Sequence, residues 1–207
     1  MLSDDDPVWY ASYGSNCLSA RFATYLTGGT AEGATRPERG ARDPTPAVRS
    51  EPFWLPSTVR FLGDAAKWGG GGVAFLDHGD SGSAPGRRFL ITKGQFDDVA
   101  AQESRRDTVE LPIDSLEPGV VMSIGGGFYD GILALEPVEG VPVVTFTSPH
   151  PLVDLPINSP SAAYLGTIVR GLQEVHPDFD NVVAALHRSP GVATGWTMQQ
   201  VAALVAN

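Results

Sequence analysis

Apolar and polar positions alternate in short blocks along much of the chain, and two blocks instead carry a helical period. Val8-Trp9-Tyr10-Ala11-Ser12 is a β-prone run that ends in the turn-like cluster Tyr13-Gly14-Ser15-Asn16. Leu18, Phe22, Tyr25 and Leu26 then recur at i, i+4, i+7 and i+8, which is one helical face, and Gly28-Gly29 stops it. The first unit is therefore strand, tight loop, helix. Thr58–Leu62, Gly72–Leu76 and Arg88–Ile91 read as further strands, with His78–Gly86 as a loop. Thr92 and Gln95 match a capping box, and Phe96, Val99, Ala100 and Glu103 share the face of the helix they open. Strands resume at Val120–Ile124, Tyr129–Leu135 and Val141–Thr147, the last two joined by a Glu139-Gly140 turn. Three helices close the chain. They start at Ser159-Pro160 with Pro at the first helical position, at Asp178, and at Thr197 with Gln200 as a second capping box. The order predicts an α+β fold.

Residues 30–56 hold Pro37, Pro44, Pro46, Pro52 and Pro56 and read mostly as irregular surface chain, an unusual length for a compact domain. The run Gly69–Gly72 has two readings: flexibility, or close approach of another segment to the backbone.

Composition narrows the function classes. The chain has 207 residues, 42% hydrophobic and 18% charged, with 24 glycines and 17 prolines, which suits one globular domain rich in turns. Acidic residues outnumber basic ones 24 to 14, and the net charge of -10 repels nucleic acid and anionic membranes. Cys17 is the single cysteine, so no intrachain disulfide forms. The start is acidic and no apolar stretch reaches the ~18 residues that span a bilayer, so a cytoplasmic protein is expected. Oligomeric state leaves no signal.

Glu103 is the first chemical candidate, because a carboxylate takes the place of a Leu on an apolar stripe and desolvating its charge is costly. It suits proton transfer, or alternatively an ion pair with Arg105 or Arg106 at the helix end. The Tyr13–Asn16 loop opens a helix, where free N–H groups suit a carboxylate or an oxyanion; a plain turn is the other reading. Cys17 sits where a thiolate would be stabilised, yet no histidine is near it in sequence, and packing is the simpler role. His78, His150, His176 and His187 form no metal motif, and the glycine run lacks the Lys-Ser/Thr of a phosphate loop. No metal or other cofactor is expected.

Taken in order, these segments resemble the gamma-glutamyl cyclotransferase family. Trp9 through Asn16 resembles its YGSN signature, and Phe61 with Lys67-Trp68-Gly69-Gly70-Gly71-Gly72-Val73 resembles its Trp-x-Gly-Gly strand. Phe96 through Glu103 resembles the helix ending in the catalytic glutamate, and Asn158 through Tyr164 resembles a later Pro-Ser-x-x-Tyr segment whose Tyr faces the pocket. The resemblance spans roughly residues 8 to 175. Cys17 stands where the family often has Leu or Met, and residues 104–107 intervene before the next strand.

The resemblance implies a small mixed β-barrel flanked by helices, one domain over 1–207 with a C-terminal helical extension at 176–207. It also implies release of 5-oxoproline from a gamma-glutamyl amine, amide or peptide, with Glu103 as general acid and base. Tyr13, Gly14, Ser15, Asn16, Cys17 and Tyr164 would bind the substrate. Two alternatives stay open: an amide hydrolase or deacylase on the same scaffold, and a non-catalytic small-molecule-binding module.

Overall fold

The computed structural model describes residues 2–32, 37–125, 127 and 129–206. Its main element is a six-stranded mixed sheet. In chain order the strands are β1 (Pro7–Ser12), β2 (Arg49–Leu55), β5 (Ala84–Thr92), β6 (Val121–Ser123), β7 (Gly131–Val138) and β8 (Val141–Thr147), while β3 (Thr58–Leu62) and β4 (Val73–Asp77) pair separately. The spatial order is β2-β5-β1-β8-β7-β6. β1 runs parallel to β8, with Trp9 opposite Val143, and antiparallel to β5, with Trp9 opposite Leu90. The expected barrel does not close by backbone pairing: β2 and β6 form the two edges of an open sheet, and the β3–β4 ladder is a second, two-stranded sheet. Thr147 Oγ1 ties the end of β8 to the Leu76 carbonyl of β4, so the two sheets meet through side chains.

The two-residue period of β1 divides the protein into two cores. Trp9 and Ala11 face one side, with Leu133, Leu135 and Val143. Against them pack α3 (Ala162–Gln173), α4 (Phe179–His187) and α6 (Met198–Ala203), through Leu165, Ile168, Leu172, Val182 and Val201. Val8 and Tyr10 face the other side, with Phe89, Ile91 and Val144, beneath α1 (Ser19–Thr27) and α2 (Lys93–Glu103). Phe22 and Phe96 are each 1% exposed or less, and burial of a side chain this large contributes about 1.5–3 kcal/mol. Phe96→Ala would remove a ring stacked on Phe146 at a cost of about 3–5 kcal/mol.

The capping boxes at Thr92 and Thr197 form as predicted, and Asp178 caps α4. Glu139 and Gly140 both take positive φ, 54° and 80°, the paired left-handed conformation of a tight hairpin turn. Three expectations change. The first C-terminal helix is capped by Ser161 rather than started by Pro160. A short helix, α5 (Val192–Gly195), went unpredicted.

The third change concerns the segment expected to be irregular. Its end is β2, an edge strand whose Pro52 lies opposite Arg87. Its middle is strapped along α2 by a polar stripe at i, i+3 and i+7. Gln95 donates to the Asp43 and Thr45 carbonyls, Asp98 accepts from the Arg42 amide, and Gln102 accepts from the Gly40 amide. Irregular chain cannot satisfy its own backbone, so the helix does it. For this reason α2 is buried nearly all round, including Asp97 and Asp98, which amphipathic patterning had left off the apolar stripe.

Candidate active site

The loop after β1 is held from behind. Ser15–Cys17 form one 3-10 turn, closed by the Cys17 amide donating to Gly14 O at 2.9 Å. α3 lies directly on it: a Cβ at Gly171 would fall 2.2 Å from backbone atoms of Cys17 and Leu18. Arg87 donates to the Cys17 carbonyl at 3.1 Å and also pairs with Glu174. With its rear face fixed, the loop presents the Gly14, Ser15 and Asn16 amides, which donate to no acceptor among the described residues.

These amides open onto a cleft of about 920 Å³. Tyr13, Gly14, Ser15, Asn16, Glu103 and Tyr164, distant in sequence, all line it. Glu103 is the last residue of α2, and Asn16 Nδ2 donates to Glu103 Oε1 at 3.4 Å and lies 3.2 Å from the Tyr10 hydroxyl oxygen. The buried Asn16 Oδ1 is left without a donor. Glu103 therefore accepts from a neutral amide, and among the described residues the sequence alternative of an ion pair with Arg105 or Arg106 does not form.

Tyrosines line the cleft. The Tyr13 hydroxyl donates to Phe146 O at 2.7 Å, Tyr129 donates to Ala74 O, and Tyr164 accepts from the Ala74 amide at 3.2 Å. Burial raises the pKa of Tyr10, Tyr25 and Tyr129, with the Glu103 charge adding to it, and burial likewise raises Tyr164. These phenols stay neutral and serve as hydrogen-bonding groups, not as bases. Gly14 is favoured by space rather than by backbone angle: its φ is -108°, but a Cβ there would lie 3.1 Å from the Tyr164 hydroxyl, a tight contact.

Cys17 is placed apart from the other candidates. It is fully buried, its Sγ donates to Ser12 O at 3.3 Å, and its amide closes the turn. Burial pushes its thiol up to about 12, which leaves no thiolate for nucleophilic attack near neutrality.

The glycine run resolves in favour of close approach. A Cβ at Gly72 would lie 2.2 Å from Asn158 O, and one at Gly71 2.6 Å from Ser159 O. Ser161 Oγ also donates to Trp68 O at 2.7 Å. The Trp68–Gly72 and Asn158–Tyr164 segments thus join to form one wall, with the Trp68 ring tilted against Tyr164 at 5.1 Å.

Sequence reasoning missed Tyr10, Arg21, Tyr25, Gln102, Arg105 and Tyr129, which also line the cleft. Arg21 is 5% exposed. Its Nη2 donates to the Tyr25 hydroxyl at 3.2 Å, its Nη1 lies 3.0 Å from Glu38 Oε1, and its Nε has no acceptor among the described residues. An Arg placed four residues before a Tyr of the apolar stripe was the signal available for it.

No family model matches the chain. Among solved structures, the fold is similar to a gamma-glutamyl cyclotransferase, with a TM-score of 0.54 and 13% identity over 98% of this chain and 100% of that one. It is equally similar to an uncharacterized protein from Homo sapiens, with a TM-score of 0.55 and 15% identity over the same shares. The chain therefore has a gamma-glutamyl cyclotransferase-like fold. It is also 30% identical over 185 residues, 81% of its length, to histone deacetylase 5 of Arabidopsis thaliana, and the match spans 28% of that protein. Among the described residues, no helix is long and apolar enough to cross a membrane.

Proposed function

We propose that this chain is a gamma-glutamyl cyclotransferase-like enzyme that releases 5-oxoproline from a gamma-glutamyl compound. The observation that carries the reading is the pairing of Glu103 with the Tyr13–Asn16 loop across one cleft, joined through Asn16 at 3.4 Å.

The substrate's own α-amine attacks its γ-carbonyl carbon. The new C–N bond closes a five-membered ring, and the bond from that carbon to the leaving nitrogen breaks. Because attack is intramolecular, orientation replaces most of the entropic cost of bringing two reactants together. The amine arrives as an ammonium. Glu103 takes one proton so that the free amine attacks, the ring nitrogen sheds a second as the ring closes, and both pass to the leaving nitrogen, which departs as an ammonium, so no net proton is consumed. Asn16 Oδ1, buried and without a donor, accepts from the attacking amine and holds it beside Glu103. The free amides of Gly14, Ser15 and Asn16 bind the glutamyl carboxylate or the oxyanion. Tyr164 fixes the opposite wall. The chemistry calls for no metal or other cofactor.

The test is incubation of the chain with a panel of gamma-glutamyl compounds and mass-spectrometric detection of 5-oxoproline, with Glu103→Gln as control. Product from wild type alone supports the reading. Glutamate in place of 5-oxoproline would make the chain a hydrolase, and binding without turnover would make it a binding module.

A further inference from the structure

α2 ends in a way that ordinary helix termination does not explain. The Arg106 amide donates to Ala101 O at 2.8 Å and the Arg105 amide to Gln102 O at 3.3 Å, a C-terminal motif whose left-handed residue is usually glycine. Here that residue is Arg105, at φ 56°. An L-residue is strained in this conformation and glycine is not. The arginine is two residues beyond Glu103, it lines the same cleft, and it has no ion-pair partner among the described residues.

A second observation stands independently. Arg21 is almost wholly buried in the adjoining part of the cleft and retains an Nε without an acceptor. It reaches the region of Glu103 through the Tyr25 hydroxyl. Glu38 and Glu103 match Arg21 and Arg105 in number, and of the two carboxylates only Glu38 is ion-paired with them. Exposed Lys67 adds a further cation to the lining. In a protein of net charge -10, whose average field repels anions, local cations are needed to admit an anionic substrate.

We propose that Arg105 and Arg21 form a cationic subsite that binds an acidic group, a carboxylate in the first instance, on the amine that leaves. The proposal rests on the cyclotransferase reading for the identity of that amine. The glutamyl half is bound by the loop amides. Arg21, joined to Tyr25, and Arg105 line the cleft outside that loop, so the subsite is assigned to the leaving-group side of the scissile bond. A guanidinium suits this task because its planar fork matches a carboxylate.

The experiment compares a gamma-glutamyl dipeptide bearing a free C-terminal carboxylate with the same compound as its C-terminal carboxamide. Wild type is expected to favour the acid at least 10-fold in kcat/KM. In Arg105→Gln that ratio should fall at least five-fold, mainly through KM, and Arg105→Lys should restore part of it. Arg105→Gly should raise Tm while losing the preference, a combination that a purely structural role would not produce. A wild-type ratio near one, or an equal loss on both compounds in Arg105→Gln, overturns the subsite. If neither compound is turned over, calorimetric binding decides. Tighter binding of the acid that is lost in Arg105→Gln upholds the subsite although the catalytic reading has failed, and equal or absent binding overturns it.

Discussion

Two carboxylates on α2, six residues apart, have opposite surroundings. Asp97 is 1% exposed, accepts from Lys93 Nζ at 2.7 Å and from the Leu111 amide at 3.2 Å, and does not line the cleft that Glu103 borders. Glu103 borders the cleft, accepts from the neutral Asn16 amide and is in no ion pair among the described residues. Asp97 is matched inside the protein and closes the packing of α2 on residues 111–113. Glu103 is left without an ion pair at an open cleft. A carboxylate committed to a lysine is a poor proton shuttle, whereas one held by an amide can gain and release a proton without breaking an ion pair.

The largest effect separating the two is catalytic. Glu103→Gln keeps the shape and loses the proton, so 5-oxoproline formation should fall by about 10²–10⁴-fold with Tm nearly unchanged. A variant of full activity would remove Glu103 from the mechanism. Next is stability. Lys93→Met removes the ammonium from buried Asp97, and urea denaturation should show a loss of about 3–5 kcal/mol, largely recovered in the Lys93→Met/Asp97→Leu pair. Turnover per folded molecule should hold, and its loss in parallel with stability would dissolve the contrast.

A smaller effect concerns pH. Burial raises the Asp97 carboxyl above its ordinary 3.8, outweighing the Lys93 ammonium. The folded protein therefore binds this proton more tightly than the unfolded chain. The stabilisation is complete below the unfolded value and is lost as pH rises through the folded one. The stability of wild type relative to Asp97→Asn should accordingly decline as pH rises above 3.8, and a difference that grows instead would reverse the sign. The smallest effect is at Cys17. With its thiol near 12 and fully buried, it should react with a disulfide reagent at pH 8 only after unfolding. Rapid labelling of the native protein would contradict its placement.

Much of this was legible in the chain. The β-prone run Val8–Ser12 and the stripe Phe96, Val99, Ala100 identified β1 and α2, and helical phase alone singled out Glu103. Those signals are local, because side-chain direction follows from backbone period. β2 was missed because prolines and charges mask an edge strand, which needs only one paired side. The open sheet was missed because closure depends on how far strands twist and which edges meet, and neither is written in any one segment.

The sequence by itself determined most of the elements, the caps at Thr92, Asp178 and Thr197, the Glu139-Gly140 turn, and the choice of the Tyr13–Asn16 loop and Glu103 as candidates. Only the tertiary structure decided that Cys17 lies behind the loop rather than in the cleft, that Gly71 and Gly72 admit Asn158 and Ser159, and that Arg21, Tyr25 and Arg105 border Glu103. The physical reason is the range of the interactions. Hydrogen bonds along one helix or turn depend on neighbours within a few residues, whereas burial and the clustering of charges depend on contacts between segments that lie more than eighty residues apart.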